Sequence, residues 1–178
     1  MTPAETLQRI FYREFLLEPR LYREVGLEDL PRRLASLLDC SEDEALDRAV
    51  ESPTLEPFTL EQLQGLLAIR DMALVSRTAA ALSAQLKASD VSYDACIRMA
   101  LCYGVIGHVG HVFSALRAAA SKQEEWARHH YLYGLLLGIQ QSKDRACWEM
   151  GIALKYEPFE EGRARIQRAC EALGCVKD

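Results

Sequence analysis

The residues best equipped for chemistry in this chain are its four histidines, all of which fall between His108 and His130. His108 and His111 are three residues apart, a spacing that can bring two imidazoles onto one helical turn as metal ligands. The pair adjoins Gly107 and Gly110 at an expected inter-helix turn, while His129 and His130 point to different faces of a helix start. No Cys-x-x-Cys or His-Glu-x-x-His run supplies further ligands. The histidines therefore read as solvent-exposed turn residues, with no metal and no cofactor expected. Cys170 and Cys175 lack the spacing of a thioredoxin-type pair; Cys170 is expected to pack under the last helix and Cys175 to be exposed after Gly174. The acidic run Cys40-Ser41-Glu42-Asp43-Glu44 resembles paired carboxylates, but acids at a helix start are explained by the helix macrodipole. No nucleophile elbow, P-loop or dinucleotide fingerprint is present. Gly107-His108-Val109-Gly110 follows no strand, so it reads as a turn and not a phosphate cradle. No catalytic constellation emerges, and the chain reads as a non-enzyme.

The elements that must position these residues are helices. Leu, Ala, Glu and Arg dominate, Val, Ile and Thr are sparse, and there are six prolines in 178 residues, a bias toward helix over sheet. Thr2, Pro3 and Glu5 form a capping-box start, followed by Leu7, Ile10, Phe11, Phe15 and Leu16 or Leu17 on one helical face. A short piece with Leu21, Tyr22 and Val25 lies between Pro19 and Gly26. A segment from about Glu28 to Leu38 follows, and Ser41 with Glu44 opens another helix. The run 52–58 carries Pro53 and Pro57 and reads as a linker. Thr59 and Gln62 cap a helix through about Arg70, and 71–87 forms an alanine-rich one. Beyond Ser92, helices over 93–105, 112–120, 124–139 and 144–156 are joined by short turns, which makes them antiparallel neighbours. Pro158 starts a last helix to about Leu173. The division expected is an acidic helical unit over 1–51, the linker 52–58, and a helical unit over 59–178.

Composition narrows the function. The chain is 49% hydrophobic and 26% charged, which suits an ordinary globular fold. A net charge of −5, with acid concentrated early in the chain, repels phosphate backbones and argues against nucleic-acid binding. The N-terminus lacks a signal-peptide pattern, and the apolar stretch near 131–139 is too short to span a bilayer. A cytoplasmic protein without membrane insertion is expected, and its six cysteines then read as reduced, small buried hydrophobes. Arginine outnumbers lysine and asparagine is absent, a bacterial-looking composition.

Small residues fall at regular places in the C-terminal half. In 127–160, Gly134 lies mid-way along the first helix, Ala146 early in the second, Ala153-Leu154 late in it, and Pro158 opens the next helix. This resembles a tetratricopeptide (TPR) helix-pair repeat, in which small residues let two helix backbones approach. One period back the match is looser: Ala100, Tyr103, Gly107 and Ala119 fit, with Val112 in place of an alanine. His130 and Cys96 stand where that family carries a large aromatic, and 59–92 has two helices without the signature. The resemblance implies an all-α fold of antiparallel helix pairs stacked as a short right-handed array, with an N-terminal helical unit and the last helix as a solvating cap.

In such arrays the first helices of successive repeats line a concave groove. That analogy places Ile97, Arg98, Leu101 and Val105, then Arg128, Tyr131, Leu135 and Ile139, along one apolar strip with two arginines. The strip suits an extended or helical peptide bearing some acid. The two-carboxylate clamp of chaperone cochaperones needs asparagines, which this chain lacks. The expectation is a protein-protein interaction module (adaptor, scaffold or chaperone) for another protein, with a homo-oligomer left open. The alternative is a non-catalytic accessory or regulatory subunit of an enzyme complex, docking through its acidic N-terminal helices. On the groove assignment, Arg98→Glu with Tyr131→Ala should abolish capture without unfolding the chain.

Overall fold

The computed structural model of the chain describes residues 1–69, 71–88 and 92–175, with the side chains at 82, 83, 85–88 and 92 left aside. Among the described residues there are eleven helices and no strand: α1 (Pro3–Leu17), α2 (Leu21–Glu24), α3 (Leu30–Leu38), α4 (Glu42–Glu51), α5 (Leu60–Leu67), α6 (Met72–Ala88), α7 (Ser92–Val105), α8 (Val109–Lys122), α9 (Ala127–Ile139), α10 (Lys143–Tyr156) and α11 (Glu160–Leu173). The expected end of α5 near Arg70 lies outside the described residues, as do 89–91 and the last three residues of the C-terminal unit.

Local signals decide most helix starts. At α1 the Thr2 backbone N–H donates to Glu5 Oε2 at 2.7 Å while Glu5 N–H donates to Thr2 Oγ1 at 3.2 Å. At α5, Thr59 and Gln62 form the same reciprocal pair. Each box satisfies two otherwise orphaned N–H groups. Ser41 is the N-cap of α4, as expected, but its side chain makes no capping bond and the box with Glu44 does not form. The acids Glu42, Asp43 and Glu44 still sit in the first turn, where the macrodipole favours them.

Helix α1 is the central strut. It packs most extensively on α9 and also touches α7, α11, α5, α2 and α4. Leu7 and Phe15 are fully buried, with Ile10, Phe11, Tyr12 and Leu16 nearly so. Two glycines admit it. A β-carbon on Gly104 of α7 would collide with the Phe11 ring, and one on Gly138 of α9 would fall 2.6 Å from Leu7 Cδ1 and 2.7 Å from Leu173 Cδ2. Gly134 does the same for the α9–α10 pair, where a β-carbon would lie 2.9 Å from Met150 Cε and 3.2 Å from the Ala146 carbonyl. The small residue expected from the sequence thus marks a close helix crossing.

The segment 52–58 is pinned to α1. Buried Arg9 donates from Nη1 to the carbonyls of Leu55 at 3.1 Å and Phe58 at 2.6 Å. Leu55 has φ 53, a left-handed backbone that costs a branched residue about 1–2 kcal/mol. Its side chain is fully buried, so core burial and the arginine clamp hold it there. The remaining helices form neighbouring pairs: α3 with α4, α6 with α7, α7 with α8, α9 with α10, and α10 with α11.

Candidate functional site

The residues expected to line a peptide groove are mostly buried. Ile97, Leu101, Val105, Tyr131 and Leu135 are all buried in the hydrophobic core, and Ile139 packs half-buried against it. Beside them is the chain's own α1, which lies on α7, α9 and α11. Three polar contacts tie α1, the residue just past it and α2 to α7 and α9. Arg128 pairs with Glu18, just past the end of α1. Arg98 Nη2 lies 2.7 Å from Glu24 Oε1 at the end of α2. The Tyr131 hydroxyl donates to Glu14 Oε1 at 3.1 Å, and Glu14 is 2% exposed.

Burial, reinforced by the neighbouring Glu14 charge, pushes the Tyr131 phenol well above its ordinary value. It stays protonated and serves as the donor that a buried carboxylate requires. Five of the eight residues are thus buried and Ile139 is half-buried, while Arg98 and Arg128 are engaged in ion pairs within the chain. A double change of Arg98 and Tyr131 would break the ion pair to Glu24 and disturb the packing around buried Tyr131. A signal for this lay in the sequence: α1 carries a broad apolar face from Leu7 to Leu16, with Glu14 within it and Glu18 just past its end.

The histidines divide into two groups. His108 and His111 stack beside Tyr103, with the two imidazoles 5.7 Å apart and His111 4.8 Å from the tyrosine ring. Rings lying 19° from parallel face each other through their π surfaces. Among the described residues, no three or more His, Cys, Asp or Glu side chains converge as metal ligands would.

His129 and His130, expected to diverge, instead lie 4.1 Å apart, centroid to centroid. They belong to the first turn of α9, and each is fixed by a different helix. The Tyr93 hydroxyl of α7 accepts the His129 backbone N–H at 2.8 Å and lies 2.8 Å from His129 Nδ1. Burial pushes Tyr93 up to about 12; because its oxygen already accepts the His129 N–H, its O–H is assigned as the hydrogen-bond donor to Nδ1. Burial and the adjacent His130 push His129 down to about 4, so its ring is neutral and carries its proton on Nε2. That Nε2–H is buried and has no acceptor. His130 differs. Burial opposes its charge, but Glu149 Oε2 at 2.7 Å from Nδ1 and the Glu124 carbonyl at 2.9 Å from Nε2 raise it above its ordinary value.

The cysteines depart from expectation. Cys147 of α10 and Cys175 are joined in a disulfide, while Cys40, Cys96, Cys102 and Cys170 are free. Gly174, at φ 67, ends α11 in a left-handed turn whose Cys175 N–H bonds back to the Cys170 carbonyl at 3.0 Å. This Schellman-type reversal presents Cys175 to α10. Spacing along the chain gave no hint of it, because the partners lie 28 residues apart, one on α10 and one just past α11.

A cleft of about 810 Å³ lies between α10 and α11, lined by Trp148, Gly151, Leu154 and Cys170 together with the disulfide. Trp148 is 67% exposed, and Phe159, the residue capping α11, is 72% exposed. These are unusually open positions for large aromatics on a folded chain. Compared with protein-family models, curated proteins and solved structures, the chain matches none of them.

Proposed function

We propose that this chain is a non-catalytic protein-binding module, an adaptor, scaffold or chaperone built as a short TPR-like right-handed array, which takes a peptide or helix of a partner protein. The observation that carries the reading is exposed Trp148 at the α10–α11 cleft, with Phe159 exposed at the start of α11. Because α1 packs on α7, α9 and α11, this reading places the partner along the α10–α11 cleft beside Trp148. Solvent-exposed Trp side chains at the lip of an apolar cleft are the usual anchors of protein interfaces. The repeat reading is supported by the close crossing at Gly134 and by the complete burial of Ala146 and Ala153.

The test is capture by the full chain of a defined partner, compared with a Trp148→Ala, Phe159→Ala double variant. Both side chains are exposed, so the variant should melt like the parent and lose at least tenfold in affinity. An unchanged affinity for the same partner overturns the α10–α11 assignment. Sedimentation of the two forms separates partner docking from self-association through the same aromatics.

A second reading, an accessory subunit of an enzyme complex, is favoured by α4. Its Glu42, Asp43, Glu44 and Asp47 side chains are all exposed, forming an acidic ridge suited to a basic partner surface. Such a subunit changes its partner's rate as well as binding it.

A further inference from the structure

A second cleft, of about 230 Å³, opens between α8, α9 and α10 on the side of His129 away from Tyr93's helix. Its polar lining is Arg117 from α8, His129 and His130 from α9, and Arg145 and Glu149 from α10. At roughly 30 Å³ per water it has room for a phosphate or a short carboxylic acid, and not for a peptide. Its charge is one-sided. Among the described residues neither Arg117 nor Arg145 has a carboxylate within ion-pair distance, while Glu149, the only acid in the lining, is engaged by His130 at 2.7 Å.

The buried donor is the second, independent feature. His129 is 3% exposed, and its Nδ1 is held by Tyr93, which does not line the cleft. Nε2 sits on the roughly opposite edge of the ring, turned away from α7, and its N–H has no acceptor. An unpaired buried donor costs about 1–3 kcal/mol, a cost that an incoming acceptor removes. The first turn of α9, which carries both histidines, adds the partial positive charge of a helix N-terminus. The remaining wall, Leu116, Ala120 and Tyr133, supplies apolar contact for a short carbon stem.

We propose that this cleft is a binding site for the oxyanion group of a small molecule, a carboxylate or a phosphate, held by Arg117 and Arg145 with the His129 Nε2–H as its buried donor. The two guanidiniums supply charge and forked geometry, and the histidine fixes depth. His130, tied to Glu149, walls the site and is not a ligand of the anion. This site is separate from the α10–α11 cleft and does not depend on what docks there.

The experiment is a titration of the full chain, labelled with nitrogen-15 in its histidine rings. Inorganic phosphate and succinate are added in separate arms, against chloride at matched ionic strength. The expected result is a saturable shift of the His129 Nε2 resonance with at least one of the two anions. The arm that saturates at the lower concentration identifies the oxyanion. Arg117 and Arg145 are both exposed, so Arg117→Gln and Arg145→Gln should each melt like the parent and weaken binding about tenfold. His129→Phe, which keeps a ring but removes the donor, should weaken it further; should that variant fail to fold, the two arginine variants decide alone. No shift beyond the chloride control with either anion overturns the proposal, and so does undiminished affinity in both arginine variants.

Discussion

His129 carries the sharpest consequence at the scale of a single residue. Its ring is neutral in the folded chain down to about pH 4, whereas in the unfolded chain it takes up a proton near its ordinary value of about 6.5. Between those values the unfolded state binds the extra proton, so lowering the pH through that window removes stability. The whole shift corresponds to about 3 kcal/mol. His130 works the other way: its value is raised, so its contribution is present at low pH and is lost as pH rises through its folded value. Urea unfolding at about pH 7, 5.5 and 4.5 should show the parent losing more stability than His129→Gln on acidification. Equal losses in the two proteins would show that His129 is not held neutral. The reading of both histidines as exposed turn residues failed because burial depends on what α7 and α10 bring to them. Tyr93 is 36 residues away from His129, and no local pattern reports such a neighbour.

At the scale of elements, helix starts and stops were legible. The caps at Thr2 and Thr59 formed as read because they need only residues three apart. The box at Ser41 did not close, although the helix began there; the dipole and the acids in its first turn were sufficient to place the start. The α10–α11 pair carries a link that spacing did not reveal. Closing a loop of 28 residues through a disulfide restricts the unfolded chain and contributes about 2–4 kcal/mol. Cys147→Ser, or reduction of the parent, should lower stability by that order in urea melts. The unreduced protein should also be lighter by two hydrogens on intact-mass analysis; a fully protonated thiol count would refute the pairing. The expectation that all six cysteines are reduced and buried therefore does not hold for this pair. No described helix is long and apolar enough to cross a membrane.

For the whole molecule the decisive contact runs between the two ends of the chain. Buried residues from α1 through α11 form one continuous apolar cluster, and α1 lies at its centre. A fragment comprising residues 59–178 would leave Tyr131, Leu135 and Leu101 facing solvent where α1 sits. Leaving several large apolar side chains exposed forfeits about 1.5–3 kcal/mol for each one, more than a small domain's margin can absorb. The fragment should melt without cooperativity, as followed by ellipticity and by the fluorescence of Trp126 and Trp148, while the full chain unfolds in one transition. A fragment melting as sharply as the parent would show that the C-terminal helices stand alone.

The sequence by itself determined the helices, their approximate bounds, the close crossing at Gly134, and the chemistry of an apolar strip carrying Arg98 and Arg128. All of these depend on residues within a few turns of one another, where propensity, capping and helical period act. Only the tertiary structure decided what covers that strip. An amphipathic helix can cover such a strip equally well from within the chain or from a partner, since the hydrophobic effect and ion pairing carry no label of origin. Proximity settles the choice: α1 is tethered to the strip, so it pays only the entropy of loop closure, which grows slowly with length, and not the larger cost of bringing two molecules together.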